Sequence, residues 1–382
     1  MTTDNVRFET LAVHAAEPRP AHGRSVVFPI YQGTVYEIEP GAGVDYLRYS
    51  NTPTQNYLQE KLAALEGAEA AVATASGMAA ISTALRSILA AGDRIIVAGN
   101  IYGGTHALLA EESRRSGWGV DFVDAADPAA WAAALTAETK AVYVESITNP
   151  LIRVGDLTGL AAFAREHGLT SIIDNTFPTP MLFRPHTIGY DLVCHSATKA
   201  LNGHSDLVAG VVTGSTERIE QVRHHLTLFG GSIDPHAAFL LSRGIKTLAV
   251  RVKAQGENAF ALARFLEGHS AIAEVHYPGL ESHPDHARAS ELFSGFGSML
   301  AFRPVGGLEA AERLLKALQI PYSAASLGGV ESLVTRPAIS SHAKLTAEER
   351  AAVGIPDDLI RFSTGIEAAE DLIEDFGRAL GE

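Results

Sequence analysis

With 44 acidic against 30 basic residues, the 382-residue chain carries a formal net charge of −14, which repels phosphate backbones and argues against a nucleic-acid partner. Its composition, 46% hydrophobic and 19% charged, suits a globular chain with ample core divided into two or three domains. The one cysteine, Cys194, cannot form an internal disulfide and fits a reducing cytoplasm, and no charged-then-apolar signal segment opens the chain.

Residues 1–55 show no sustained period and carry Pro18, Pro20, Pro29, Pro40 and Pro53 with Gly23, Gly33, Gly41 and Gly43, which reads as an extended arm with turns. Its aromatics, Phe28, Tyr31, Tyr36, Tyr46 and Tyr49, favour packing on a partner over disorder. Tyr46 and Arg48 lie two apart, so in extended chain they point the same way and could hold a phosphate together; the alternative is an exposed turn.

Thr54 starts a predicted helix with Leu58, Leu62 and Leu65 at helical spacing, stopped by Gly67. Ala70–Ala73 reads as a strand that feeds the turn Thr74-Ala75-Ser76-Gly77-Met78, with a helix following through Leu89. Strand, small-residue turn and helix form an anion cradle, because free N–H groups at a helix start bind phosphate. The turn is not G-x-G-x-x-G and no acidic residue follows at the dinucleotide spacing, so a nicotinamide cofactor is disfavoured. Polar residues from Ser76 to Ser87 interrupt this Ala-rich stretch and exclude a membrane span.

Further strands are predicted at Arg94–Ala98, Val120–Val123, Ala141–Glu145, Ser171–Asp174, Leu192–Cys194 and Val208–Thr213, with helical stretches between most of them. The alternation means a mostly parallel sheet sheathed by helices, with function at the carboxyl ends of the strands. Four marked groups fall there: Tyr102-Gly103-Gly104-Thr105, Glu145–Pro150, Asp174-Asn175-Thr176 and Ser196–Lys199; singly, Tyr102 reads equally as a turn aromatic, Asn149-Pro150 as a turn and Asp174 as a cap, but all four share one end of one sheet. A lysine just after a buried strand must be desolvated or paired, and desolvation lowers its pKa so that the neutral amine becomes a nucleophile; the alternative is a surface lysine in a loop with ordinary turn hydroxyls. Residues 215–266 are largely helical, interrupted at Arg243–Thr247. From about Ala271, shorter strands (Glu274–Tyr277, Ser298–Arg303, Leu359–Ser363) mix with helices (Leu308–Leu318, Glu367–Leu380), which reads as a second, smaller α+β domain. There Arg361, near a strand end, is placed to clamp a carboxylate in two-pronged fashion; the alternative is a surface salt bridge. The 15 histidines show no ligand spacing and argue against a metal site.

Taken together, these groups resemble the Cys/Met-metabolism family of pyridoxal-5′-phosphate enzymes, which includes cystathionine γ-synthase, cystathionine β- and γ-lyases and methionine γ-lyase. The likeness is carried by H-S-A-T-K-A-L-N-G-H-S-D-L-V-A-G over His195–Gly210, the Ser-Gly-Met turn, Tyr-Gly-Gly-Thr at Tyr102, Glu145…Asn149-Pro150, Asp174-Asn175-Thr176-Phe177, Ser326–Leu333 and Arg361-x-Ser-x-Gly-Ile-Glu367. The blocks run in family order over roughly residues 45–370. The resemblance implies the α/β transferase fold type I of these enzymes, with a seven-stranded-type, mostly parallel sheet domain. Its division here is an arm at 1–55 reaching a neighbouring subunit, a large cofactor-binding domain at 56–255 and a small α+β domain at 256–382. It also implies a cytoplasmic homotetramer built from dimers with shared active sites.

The implied roles follow residue by residue. Lys199 attaches to the cofactor aldehyde and, once displaced by substrate, moves protons. Asp174 pairs with the pyridine nitrogen, and Tyr102 stacks on the ring and assists proton transfer. The Gly77 and Met78 amides with the Ser196 and Thr198 hydroxyls hold the phosphate, and Tyr46 and Arg48 reach the phosphate of a neighbouring subunit. Arg361 binds the substrate α-carboxylate, with Asn149 and Ser326 beside it. Asp45 and Glu331 either receive the distal ammonium of cystathionine or are, respectively, a solvated arm residue and a domain-interface residue. The chain departs from the family pattern at Leu47, at an apparently one-residue-longer Asn51–Thr54, at Ala200 where an aromatic is common, at Arg336, and at Gly104, where methionine γ-lyases carry cysteine. The implied activity is γ- or β-elimination on cystathionine or a related thioether amino acid. Cystathionine γ-synthase is the first alternative and methionine γ-lyase the second. A non-catalytic cofactor-binding regulator is disfavoured by the retained Lys199, Tyr102, Asp174 and Arg361.

Overall fold

A computed structural model describes residues 6–19, 21–41, 43–341, 343 and 346–381. The large sheet contains seven strands: β1 (Ala70–Thr74), β2 (Arg94–Ala98), β3 (Gly119–Val123), β4 (Thr139–Glu145), β5 (Thr170–Asp174), β6 (Leu192–His195) and β7 (Gly210–Gly214). Their spatial order is β1-β7-β6-β5-β4-β2-β3, and β7 alone runs antiparallel to both its neighbours. Strands buried on both faces explain the continuous apolar runs. On β2, Ile95 and Val97 enter one core with Tyr143, Ile172 and Cys194, while Ile96 and Ala98 enter another with Val142, Val144 and Val193.

Helix α1 (Phe8–His14) opens the chain, and α2 (Pro53–Glu66), α3 (Gly77–Arg86) and α4 (Gly103–Ser116) follow. In α2 a capping box joins Thr52 and Gln55, Pro53 occupies the first turn, and Gly67 closes the helix at φ +70. Helix α1 corrects the reading of residues 1–55 as extended throughout: Leu11, Ala12 and Ala15 are buried in a core with Leu58 and Leu62 of α2. Seven residues make under two turns, too few for a periodic signal. The buried Lys61 of α2 donates to the carbonyls of Ala12 and Val13, satisfying the free end of α1. Helix α3 stops at Arg86, short of the expected Leu89.

A second sheet, in the order β10-β11-β12-β9-β8, comprises β8 (Ile272–His276), β9 (Met299–Pro304), β10 (Tyr322–Ser323), β11 (Leu333–Thr335) and β12 (Ile360–Ser363). The short β10 and β11 had no strand signal in the sequence. The helix Leu248–Gly268 links the two bodies: Leu248 and Val252 pack in the core of α2, whereas Ala259, Leu262 and Leu266 pack on the second sheet. The expected boundary at 255/256 therefore falls inside one continuous helix. Among the described residues no helix is long and apolar enough to cross a membrane, and no cluster of His, Cys, Asp or Glu is placed to hold a metal.

Candidate active site

The turn after β6 carries Lys199. It closes on itself through Lys199 N–H to Ser196 O (3.1 Å) and Gly203 N–H to Lys199 O (2.8 Å). The lysine Nζ donates to Ser326 Oγ at 2.7 Å, and no carboxylate among the described residues pairs with it. Burial first and Arg361 second lower its pKa to about 8. A half-buried amine of that kind is a usable nucleophile and proton carrier near neutral pH.

Ser326 comes from the loop before β11 and has φ +87, a left-handed conformation costing on the order of 1–3 kcal/mol for a non-glycine residue. In this position its hydroxyl accepts from Lys199 while its carbonyl accepts from Arg361 Nη2 at 2.9 Å. Arg361, on β12 and 4% exposed, also donates through Nη1 to Asn149 Oδ1 at 3.1 Å. Burial pulls its pKa down to about 10. Its hydrogen-bond partners are neutral, so among the described residues no counter-charge meets this guanidinium in the dry interior, which fits an anion such as a carboxylate. The loop presses on the lysine turn at Gly328, where a Cβ would lie 2.7 Å from Ala200 N.

An anion cradle faces the turn. Helix α3 begins at Gly77 behind Ser76, whose hydroxyl accepts from Ala79 N–H at 3.0 Å. A Cβ on Gly77 would lie 2.7 Å from Ser196 Cβ, so only glycine lets the helix start approach Ser196. Gly77→Ala is expected to weaken affinity for the phosphorylated cofactor about 5- to 150-fold, given overpacking of ~1–3 kcal/mol. Titration of the apo chain checks this, and wild-type affinity would dismiss the cradle. Thr198 stands differently from Ser196: its hydroxyl donates to Ala209 O (3.1 Å) and accepts from Ala209 N–H (3.0 Å). With its hydrogen engaged, it braces the turn.

Asp174 ends β5 and accepts the N–H (2.9 Å) and hydroxyl of Thr176, whose Oγ1 in turn receives Ser196 N–H at 2.8 Å. Burial raises its pKa, and Thr176 and His195 oppose the rise. A cationic N–H, such as a protonated pyridine, would relieve this buried carboxyl. Beside it in register, Glu145 ends β4 and accepts Tyr102 N–H at 2.5 Å. Tyr102 occupies the N-terminal end of α4 and is 41% exposed; a Cβ on Gly104 would lie 2.4 Å from its ring and 3.1 Å from Met78 Sδ, so the glycine makes room for it. The amine, the anion cradle, the buried carboxyl and the aromatic ring together fit pyridoxal 5′-phosphate. A cavity of about 1050 Å³ opens beyond Tyr102, walled by Ile101, Phe122, Leu151 and Val353 and clear of Lys199.

Within one chain the structure joins Lys199, Ser326, Arg361 and Asn149, but it does not bond Asp45, Tyr46, Arg48 or Glu331 to them among the described residues. Leu47–Tyr49 is a tight 3₁₀ turn and not the extended segment expected. Arg48 donates to Thr227 O at 2.6 Å, with its guanidinium over the rings of Tyr46 and Tyr49. Asp45 is exposed, and Glu331 accepts from Ser205 Oγ at 3.2 Å. Glu145 and Thr176 received no role from the sequence, although an acid closing an apolar strand was the available signal for Glu145.

The family model for "Cys/Met metabolism PLP-dependent enzyme" matches residues 9–381. The chain is 42% identical to the L-methionine gamma-lyase of Pseudomonas putida, covering 98% of this chain and 97% of that one. It is also 42% identical to the cystathionine gamma-lyase of Bacillus subtilis, covering 97% and 98%. Among solved structures, cystathionine gamma synthase from Xanthomonas oryzae pv. oryzae, in complex with aminoacrylate and cysteine, superposes with a TM-score of 0.95 at 39% identity, covering 98% of each chain.

Proposed function

Since the chain belongs to the Cys/Met metabolism family of PLP-dependent enzymes, we propose that it cleaves the carbon–sulfur bond of cystathionine or a closely similar thioether amino acid by γ- or β-elimination. It is an enzyme of sulfur-amino-acid metabolism with pyridoxal 5′-phosphate as cofactor and the type I fold of that class. The observation that carries the reading is the chain of contacts from Lys199 through Ser326 to Arg361 and Asn149.

When bound, pyridoxal 5′-phosphate supplies an electron sink for the pair left on the substrate Cα. The protein does the rest. Arg361 binds the α-carboxylate, with Asn149 and Ser326 fixing its angle. That anchor presents the Cα proton to Lys199, whose lowered pKa lets the amine take and return it near neutral pH. Asp174 holds the ring nitrogen protonated, Gly77, Met78 and Ser196 hold the phosphate, and Tyr102 covers the ring and hands a proton to the leaving sulfur. For γ-elimination Lys199 also removes a Cβ proton. Asp45 and Glu331 are the acids available to a distal ammonium.

The chain works as a homotetramer of two-site dimers in the cytoplasm. In support, Val26, Val35 and Ile38 of the arm are 86%, 75% and 69% exposed, an apolar surface suited to a second copy, from which Tyr46 and Arg48 reach the neighbouring phosphate. Replacement on an acylated homoserine is the second reading, favoured by the superposition on a γ-synthase. The deciding experiment gives L-cystathionine to cofactor-loaded protein. 2-Oxobutyrate with cysteine is expected from γ-elimination and pyruvate with homocysteine from β-elimination; no keto acid would overturn the lyase reading in favour of replacement.

A further inference from the structure

Glu145 is buried, closes β4 at the register position beside Asp174, and has no part in the roles above. Its carboxyl receives the backbone N–H of Tyr102 at 2.5 Å and that of Asn149. Tyr102 is otherwise lightly held, being 41% exposed and making no side-chain cap on α4. A buried acceptor at the end of β4 is therefore what ties the Tyr102 turn to the sheet, and the same group orients the loop that carries Asn149.

Charge makes the second half of the case. Two carboxyls on adjacent strands in a dry site cannot both be anionic without a cation between them. Asp174 has two donors from Thr176, and the ring nitrogen of the cofactor brings a positive charge to the same group. No cation faces Glu145 among the described residues. Around it stand Asp174 from β5, the Tyr143 phenol from its own strand and the two N–H groups, while His195 acts on Asp174 and Arg361 lies toward Tyr102.

We infer that Glu145 is a positioning residue that, as a neutral acid, pins Tyr102 and Asn149 by their N–H groups and leaves the negative charge of the pair on Asp174. The inference rests on the reading that Asp174 and Tyr102 face the cofactor. Burial first and the Asp174 charge second push the Glu145 carboxyl well above the usual carboxylate range, and the Tyr102 and Asn149 N–H groups oppose the rise without reversing it.

Glu145→Gln and Glu145→Ala in the full-length holoenzyme test it. Glutamine keeps an acceptor oxygen and imitates the neutral acid. It is expected to retain the wild-type affinity for pyridoxal 5′-phosphate and the wild-type pH titration of bound-cofactor absorbance. Alanine removes the pin and is expected to lower kcat about 100-fold through a misplaced Tyr102. Cofactor affinity in Glu145→Gln as weak as in Glu145→Ala would show that the charge is needed and overturn the assignment. Wild-type kcat and absorbance in Glu145→Ala would overturn it as well. If circular dichroism shows that alanine prevents folding, Glu145→Asp, an acid too short for the Tyr102 N–H, takes its place, and undiminished kcat there overturns the pin. A Lys199→Ala chain that still turned over would instead sink the cofactor reading, so the two failures are separable.

Discussion

Lys199→Ala is expected to abolish elimination, lowering kcat by about four orders of magnitude or more, because one amine both attaches the cofactor and carries the Cα proton. No other lysine is bonded into the Ser326–Arg361–Asn149 network among the described residues. The variant should be colourless after dialysis, and borohydride should fix the cofactor to wild-type protein and not to the variant. A yellow, borohydride-reducible Lys199→Ala protein would remove Lys199 from the mechanism. The pH behaviour is also determined. The amine is the nucleophile only when neutral, and burial together with Arg361 brings its pKa to about 8. The rate of cofactor capture by apo protein should therefore rise as pH increases through about 8 and level off above it. A rise delayed to the ordinary lysine range near ~10.4 would mean that the site does not desolvate the group.

Arg361→Ala is the second large effect. The guanidinium is 4% exposed and bonded to Asn149 Oδ1 and Ser326 O, so its removal takes away the carboxylate anchor and strands two buried acceptors. Losing one member of a buried, hydrogen-bonded charge pair costs ~2–5 kcal/mol, which corresponds to roughly 30- to 5000-fold in kcat/KM. Cofactor affinity should change little, since Arg361 is bonded to Asn149 and Ser326 and to none of the groups assigned to the phosphate or the ring nitrogen. Arg361→Lys is expected to recover only part of the loss, because a single ammonium cannot reproduce the two-pronged contact. An unchanged kcat/KM in Arg361→Ala would show that the α-carboxylate binds elsewhere.

The regular elements were legible because local rules and tertiary burial agree in them. Helix α2 was legible from Leu58, Leu62 and Leu65 at helical spacing and from the stop at Gly67, while the capping box of Thr52 and Gln55 sets its start one residue before the expected Thr54. The strands of the large sheet were legible because burial on both faces leaves short apolar runs bounded by turns. Helix α1 was not, since its stability comes from Leu11 and Ala12 against α2 and from Lys61 at its carbonyl end, contacts made 48 and 49 residues away. Arg48 was read as extended because neither the 3₁₀ turn at Leu47–Tyr49 nor its bond to Thr227 has a local signature.

The site divides along the same line. By itself the sequence determined that a lysine follows a buried strand, that small residues begin a helix after another, and that an acid and an aromatic stand at strand ends; the family and its cofactor entered through the resemblance these blocks carry. These are properties of residue type and short spacing, which local chemistry dictates. Only the tertiary structure decided that the Ser326 hydroxyl, 127 residues away, accepts the hydrogen bond from Lys199 Nζ, and that Arg361 reaches back 212 residues to Asn149. It alone placed Glu145 in register with Asp174 and under the Tyr102 N–H, while leaving Asp45 and Arg48 off this cluster within one chain. Such pairings depend on which strands become neighbours and which loops close over them. Burial of the whole chain selects that arrangement, because a desolvated amine, guanidinium or carboxyl acquires its partner and its pKa only when distant segments exclude water together.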